Sequence, residues 1–271
     1  MSLHEILDIK KHQIIPHRVI EAYQKQKHKQ SFLPLGTRNF DEIMGGGFYF
    51  GKKYLVFGSN KTGKTQLCHQ ICVQAYKHLR KASGKKDEKI AFYFDTENTF
   101  RPERIKELIE NTEKKANQVL NSILVSKIMS NSAFILALRD FEEVINNYQN
   151  GVLIIDTINN YLRTDLGNKN LSFNRVKDTF LNALRKINEL TIKYNLITIA
   201  TAQVTSDFSK GDNINEVPVG NQFLNHFFSE YVYLSRKKNE RNYIQLVNSL
   251  QFSEKKLPYS ITTRGIQDYK F

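Results

Sequence analysis

From Phe32 onward, short apolar runs alternate with longer stretches whose apolar residues recur at helical spacing. The runs near 54–57, 90–94, 123–126, 152–155, 196–200, 231–235 and 243–248 read as strands. The stretches near 65–81, 101–112, 134–148 and 174–194 read as helices. The last is the clearest, with Val176, Phe180, Leu181, Leu184, Ile187 and Leu190 on one face. A strand that is apolar throughout must be covered on both sides. Its alternation with amphipathic helices predicts an α/β fold, a mostly parallel central sheet flanked by helices. Residues 231–248 depart from that rhythm. Two apolar runs there flank the charged stretch Arg236–Asn242, which predicts a C-terminal β-hairpin. Residues 1–30 are polar and basic, contain Pro16 and end in a Gln/Lys-rich tract. They read as a short helical segment and linker ahead of a core spanning 31–271.

The chain has 271 residues, which suits one large α/β domain with a small appendage. It carries no apolar run of about 18 residues, so no membrane span is expected. The first residues, MSLHEILDIKKHQ, are too polar for a secretory signal. Cys68 and Cys72 lie one turn apart on a helix whose face is committed to packing. Buried thiols in a reducing compartment are expected there, although the intervening His69 also invites a metal reading. Net charge is +13, from 40 Lys and Arg against 27 Asp and Glu. That balance favours a polyanionic partner, nucleic acid first, or else a solvated lysine-rich surface.

The chemistry concentrates at three strand ends. Residues 58–65, Gly58, Ser59, Asn60, Lys61, Thr62, Gly63, Lys64 and Thr65, fit G-x-x-x-x-G-K-[ST]. The motif follows the apolar run Tyr54–Phe57 and precedes a helical pattern that includes Leu67, Ile71 and Ala75. Strand, glycine-rich turn and helix is the arrangement that aims backbone N–H groups and a helix N-terminus at phosphate oxygens. Lys64 can then reach the β- and γ-phosphates of a nucleotide, and the Thr65 hydroxyl can hold Mg²⁺. Val152–Asp156 is an apolar strand ending in an acid, placed to hold the water shell of Mg²⁺ or to cap the adjoining segment. Ala91–Asp95 is a second such strand, followed by Thr96 and Glu97. Hydrolysis needs a carboxylate that takes a proton from the attacking water. Glu97 is the candidate, with a helix-capping role as its alternative, and Asp95 reads as structural.

Several longer segments resemble the RecA-type recombinases, above all the archaeal RadA and RadB proteins and their eukaryotic relatives. They are 36–70, beginning GTRNFDEIMGGG, FYFDTENTFRPER at 92–104, IIDTINNYLRTD at 154–165 and ATAQV at 200–204. The resemblance extends from about Leu35 to Asp268. It implies a RecA-like ATPase core that binds ATP and Mg²⁺, single- and double-stranded DNA, and other recombination proteins. It makes Glu97 the catalytic glutamate and Arg104 an arginine packed over the adenine. Gln66 joins the nucleotide-binding set behind the loop. Gln203 becomes the glutamine that senses the γ-phosphate, and His226 a histidine near it at the subunit boundary. Two DNA-binding loops are implied. The first spans about 163–175 with Arg163, Lys169 and Arg175, the second about 204–219 with Phe208 and Lys210.

The chain also departs from that pattern. Thirty residues cannot hold the helix-hairpin domain of the full-length recombinases. Pro16–Ile20 stands where they carry an F-x-x-A anchor, and Val247–Leu250 lacks the acidic residue and proline that cap a neighbour's ATP. These features imply a core-only paralogue of the RadB kind. Such a protein would be monomeric or a small oligomer and would assist a RadA-type recombinase at the nucleoid or in the nucleus. Two other readings are a non-catalytic ATP-binding adaptor and a signalling ATPase of the KaiC type.

Overall fold

The computed structural model describes residues 31–83, 89–109, 113–146, 151–206, 216–237, 241–249 and 251–269. Expectations for residues 1–30, Phe208 and Lys210 lie outside these. In chain order the elements are β1 (Phe32–Leu33), α1 (Arg38–Ile43), β2 (Phe48–Tyr49), β3 (Lys53–Phe57), α2 (Lys64–Ser83), β4 (Ala91–Asp95), α3 (Pro102–Leu108), α4 (Glu113–Asn121), β5 (Ile123–Lys127) and α5 (Asn131–Ile145). Beyond these come β6 (Val152–Asp156), α6 (Asn160–Leu166), α7 (Phe173–Lys193), β7 (Ile197–Ala202), β8 (Val204–Ser206), β9 (Glu216–Pro218), α8 (Asn221–Leu224), β10 (Glu230–Arg236), β11 (Asn242–Asn248), β12 (Lys256–Thr262) and β13 (Gly265–Asp268).

The main sheet runs β13-β12-β11-β10-β3-β7-β6-β4-β5. Its half from β10 to β5 is parallel, while β10 to β13 pair antiparallel. Strand β6 shows why the apolar-throughout pattern means a covered sheet. Val152 and Ile154 join the core under α2, and Leu153 and Ile155 join the opposite core under α5 and α7. Burying each such side chain contributes about 1.5–3 kcal/mol. Helix α7 supplies Phe180, Leu184 and Ile187 to that second core, as the spacing predicts.

Three differences from the sequence expectation have physical causes. The expected hairpin exists as β10–β11, but it is the start of a four-strand antiparallel flank. Pro258 inside β12 removes a ladder donor and hides that strand from a pattern reading. The helix expected over 101–112 is α3 alone, and a separate α4 comes after it. That helix buries only Ala116 and Val119, so its apolar stripe is too thin to read. The loop expected over 163–175 is mostly helix. Arg163 sits in α6 and Arg175 in the first turn of α7, leaving a connection of 167–172 between them.

Because β7 and β6 separate β3 from β4, the carboxyl ends of these strands open onto a shared crevice. Parallel sheets of this kind bind ligands at such a switch point.

Candidate active site

The turn after β3 works only with glycine at its ends. Gly58 has φ 148°, and a Cβ there would lie 2.0 Å from the Leu234 carbonyl oxygen. Gly63 has φ 94°, in the left-handed half of backbone space. Thr62 is buried and fixes the turn from inside: its hydroxyl donates to Ser59 O at 2.8 Å, and its carbonyl accepts from the Tyr259 hydroxyl of β12. Lys64 Nζ donates to Gly58 O at 2.7 Å and to Ser59 O at 3.0 Å, folding the ammonium into the loop. Burial pushes this lysine below its ordinary value, against the pull of Asp156, Glu97 and Glu216.

Asp156 ends β6 and is 1% exposed. Its Oδ2 accepts from the Tyr93 hydroxyl at 2.7 Å and from Thr99 Oγ1 at 3.3 Å, and Oδ1 accepts from the Thr201 hydroxyl. Neutral donors from β4, from the turn after it and from β7 therefore hold the carboxylate, whose charge acts on Lys64. Asp95 has the structural role expected of it. It accepts from the backbone N–H of Glu97 at 3.2 Å and of Thr99 and Phe100 at 3.0 Å, which curls the chain so that Glu97 turns back toward the cleft. Glu97 Oε1 accepts from the Thr157 hydroxyl at 2.5 Å and from the Gln203 amide at 2.6 Å.

Lys64, Thr65, Gln66, Glu97, Arg104, Asp156 and Gln203 thus line one cleft of about 580 Å³, along with Asn60, Lys61 and Gly63. Arg104 roofs its far end. Its guanidinium donates to Gln66 at 2.5 Å, Glu107 at 2.6 Å, Thr263 O at 2.8 Å and Thr262 O at 2.7 Å, so its plane is held fixed. The hydroxyl of Thr65 and the carboxylate of Asp156 form an oxygen donor set that suits Mg²⁺. His226 does not join them. It is exposed in the turn after α8 and is not part of the cleft lining.

The metal reading of Cys68, His69 and Cys72 fails on geometry. Both thiols are buried and burial pushes them up. His69 spends both ring nitrogens: Nε2 accepts from Arg101 N at 2.9 Å, which leaves Nδ1–H to donate to Thr65 O at 2.7 Å. Among the described residues no cluster of three or more His, Cys, Asp or Glu is arranged to hold a metal.

Gln203 also marks the entrance to the second expected loop. Asn159 ties its base: the side-chain amide donates to Gln203 O and Val219 O, both at 2.9 Å, and its oxygen accepts from Gln203 N at 2.9 Å. Strands β8 and β9 pair above that knot. Across the first expected DNA segment, Arg163, Lys169 and Arg175 are exposed, as is Phe173 at 56%.

The sequence reading did not single out Tyr93, Thr157, Asn159, Phe173, Thr201 or Glu216. Phe173 sits between two cations in the sequence and was findable. The others are ordinary polar residues whose partners lie far away along the chain.

The Rad51 family model matches residues 26–269. The human meiotic recombination protein DMC1/LIM15 homolog is 30% identical over 254 residues, covering 90% of this chain and 73% of that protein. Meiotic recombination protein DMC1 of Saccharomyces cerevisiae is 30% identical over 244 residues, 87% of this chain and 71% of its own. Meiotic recombination protein DLH1 of Candida albicans is 29% identical over 266 residues, 96% and 79% respectively. No described helix is long and apolar enough to cross a membrane. The chain belongs to the Rad51 family of RecA-type recombinases, and it is a DNA-binding, ATP- and Mg²⁺-dependent ATPase of homologous recombination and DNA repair.

Proposed function

We propose that Glu97 activates the water that attacks the γ-phosphate, and that Gln203 links that event to DNA. The observation that carries this reading is the pair of bonds on Glu97 Oε1 from Thr157 and Gln203. Both fall on one oxygen and leave Oε2 to accept a proton from water. Lys64 swings from the loop carbonyls to the β- and γ-phosphates. Thr65 and Asp156 would hold Mg²⁺, which would screen the charge of the phosphates. Arg104 lays its fixed plane over the adenine. A γ-phosphate offers the Gln203 amide a stronger acceptor than Glu97, so ATP draws on the β8–β9 hairpin through the Asn159 knot. Arg163, Lys169 and Arg175 neutralise DNA phosphates, and exposed Phe173 gives a base a surface to stack on. His226 takes part only at a boundary with a second subunit.

The relatives named above are eukaryotic meiotic proteins, which supports a nuclear workplace. The end of β11, Asn248 and Ser249, offers no acid to a neighbour's nucleotide. That supports a protein working beside a RadA-type recombinase rather than alone. Light scattering at micromolar protein with ATP, Mg²⁺ and single-stranded DNA tests this. Small particles that grow only when a full-length recombinase is added are expected; long filaments of this chain alone would overturn it.

A further inference from the structure

Glu216 begins β9, on the far side of the hairpin from Gln203, and it reaches the phosphate loop. Its carboxylate accepts from Ser59 N at 3.2 Å and from the Ser59 hydroxyl. The Tyr233 hydroxyl of β10 donates to it at 3.2 Å. Glu216 is also one of three carboxylates whose charge acts on Lys64. The hairpin is therefore fastened to the nucleotide site twice, at Glu97 through Gln203 and at Ser59 through Glu216. The two fastenings differ in kind. Gln203 is neutral and can bond a phosphate. Glu216 is an anion already bonded to loop donors, and a triphosphate repels it.

We propose that Glu216 is a positioning residue: its carboxylate and the ATP phosphates compete for the phosphate loop, and its release on ATP binding moves β9. This rests on the reading of the cleft as the ATP site. The competition has three consequences. Glu216 lowers ATP affinity. It makes the β8–β9 hairpin respond to nucleotide on both strands rather than one. It thereby sets how strongly ATP raises affinity for single-stranded DNA, and by linkage how strongly DNA raises affinity for ATP.

The test measures ATP binding with and without single-stranded DNA for the full chain, for Glu216→Gln and for Ser59→Ala, with thermal melts of each. Glu216→Gln keeps the shape and loses the charge. It should bind ATP about 3- to 10-fold more tightly in the absence of DNA, while the factor by which DNA improves ATP binding falls toward one. Ser59→Ala removes only the hydroxyl donor. It should move both quantities the same way by a smaller factor, and it stands in if Glu216→Gln does not fold. A purely structural contact would weaken ATP binding along with the melting temperature. Variants that bind ATP no more tightly than the parent, or that keep its full DNA response, overturn the proposal. A parent chain that binds no ATP would instead overturn the reading of the cleft.

Discussion

Asp156 and Arg163 belong to one short stretch of chain, yet they are held in opposite ways. Asp156 ends a central strand, is 1% exposed and accepts bonds from Tyr93, Thr99 and Thr201. Arg163 stands exposed on α6, ahead of the exposed Lys169 in the connection to α7. The nucleotide centre is preorganised because hydrolysis needs charges and a base fixed to within fractions of an ångström. The flank proposed to meet DNA carries long exposed cations and one exposed ring, which suffice because a phosphate backbone can be met by mobile charges. The first region should therefore fail sharply on single changes, and the second by degrees.

The largest effect is expected at Lys64. Lys64→Ala removes the ammonium proposed to meet the β- and γ-phosphates, so both ATP binding and turnover should collapse. Equilibrium binding of a fluorescent ATP analogue checks it. Glu97→Gln should retain ATP binding and lose about 10²-fold or more in hydrolysis, since shape and hydrogen bonding survive while the base does not. Single-turnover hydrolysis separates the two variants, and normal turnover by the glutamine variant would remove Glu97 from its role.

The flank should respond more gently. Replacing Arg163, Lys169 and Arg175 with alanine should lower the salt slope of single-strand binding by about 2, because each phosphate contact contributes about 0.7. Phe173→Ala should cost about 1–3 kcal/mol of binding with no change in that slope. Binding isotherms at several salt concentrations distinguish the two. A flank that lost all binding on one substitution would erase the contrast with the centre.

The smallest effect concerns pH. Burial lowers the proton affinity of His69, and its neutral ring joins Thr65 O to Arg101 N. The unfolded chain then binds a proton that the folded chain resists. The His69 contribution to stability is complete above about pH 6.5 and is lost as pH falls below it, down to the lowered folded value. Melting temperatures from pH 7.5 to 5 should show a fall of a few degrees attributable to this residue. His69→Gln should flatten that part of the profile.

The centre was legible in the sequence because its parts are local. A strand, a glycine turn and Lys64-Thr65 sit in one segment, and Asp156 and Glu97 each come after an apolar run. The sheet's parallel half was legible for the same reason. The features that escaped depend on contacts distant along the chain. Thr201 and Tyr93 bond Asp156 across the sheet. Glu216 bonds Ser59 from 157 residues further along the chain. The connection between α6 and α7 was expected to be longer, since its polar, asparagine-rich composition masks the helical turns on either side.

Gln203 bonds Glu97 of the fixed centre and leads into the β8–β9 hairpin, while Asn159, just ahead of α6, ties its backbone. Single-turnover ATP hydrolysis by Gln203→Ala, with and without single-stranded DNA, tests that junction most directly. The account predicts that the variant still binds ATP and DNA but hydrolyses ATP at the same rate in either condition, whereas the parent chain is accelerated by DNA. DNA stimulation equal to that of the parent would contradict it.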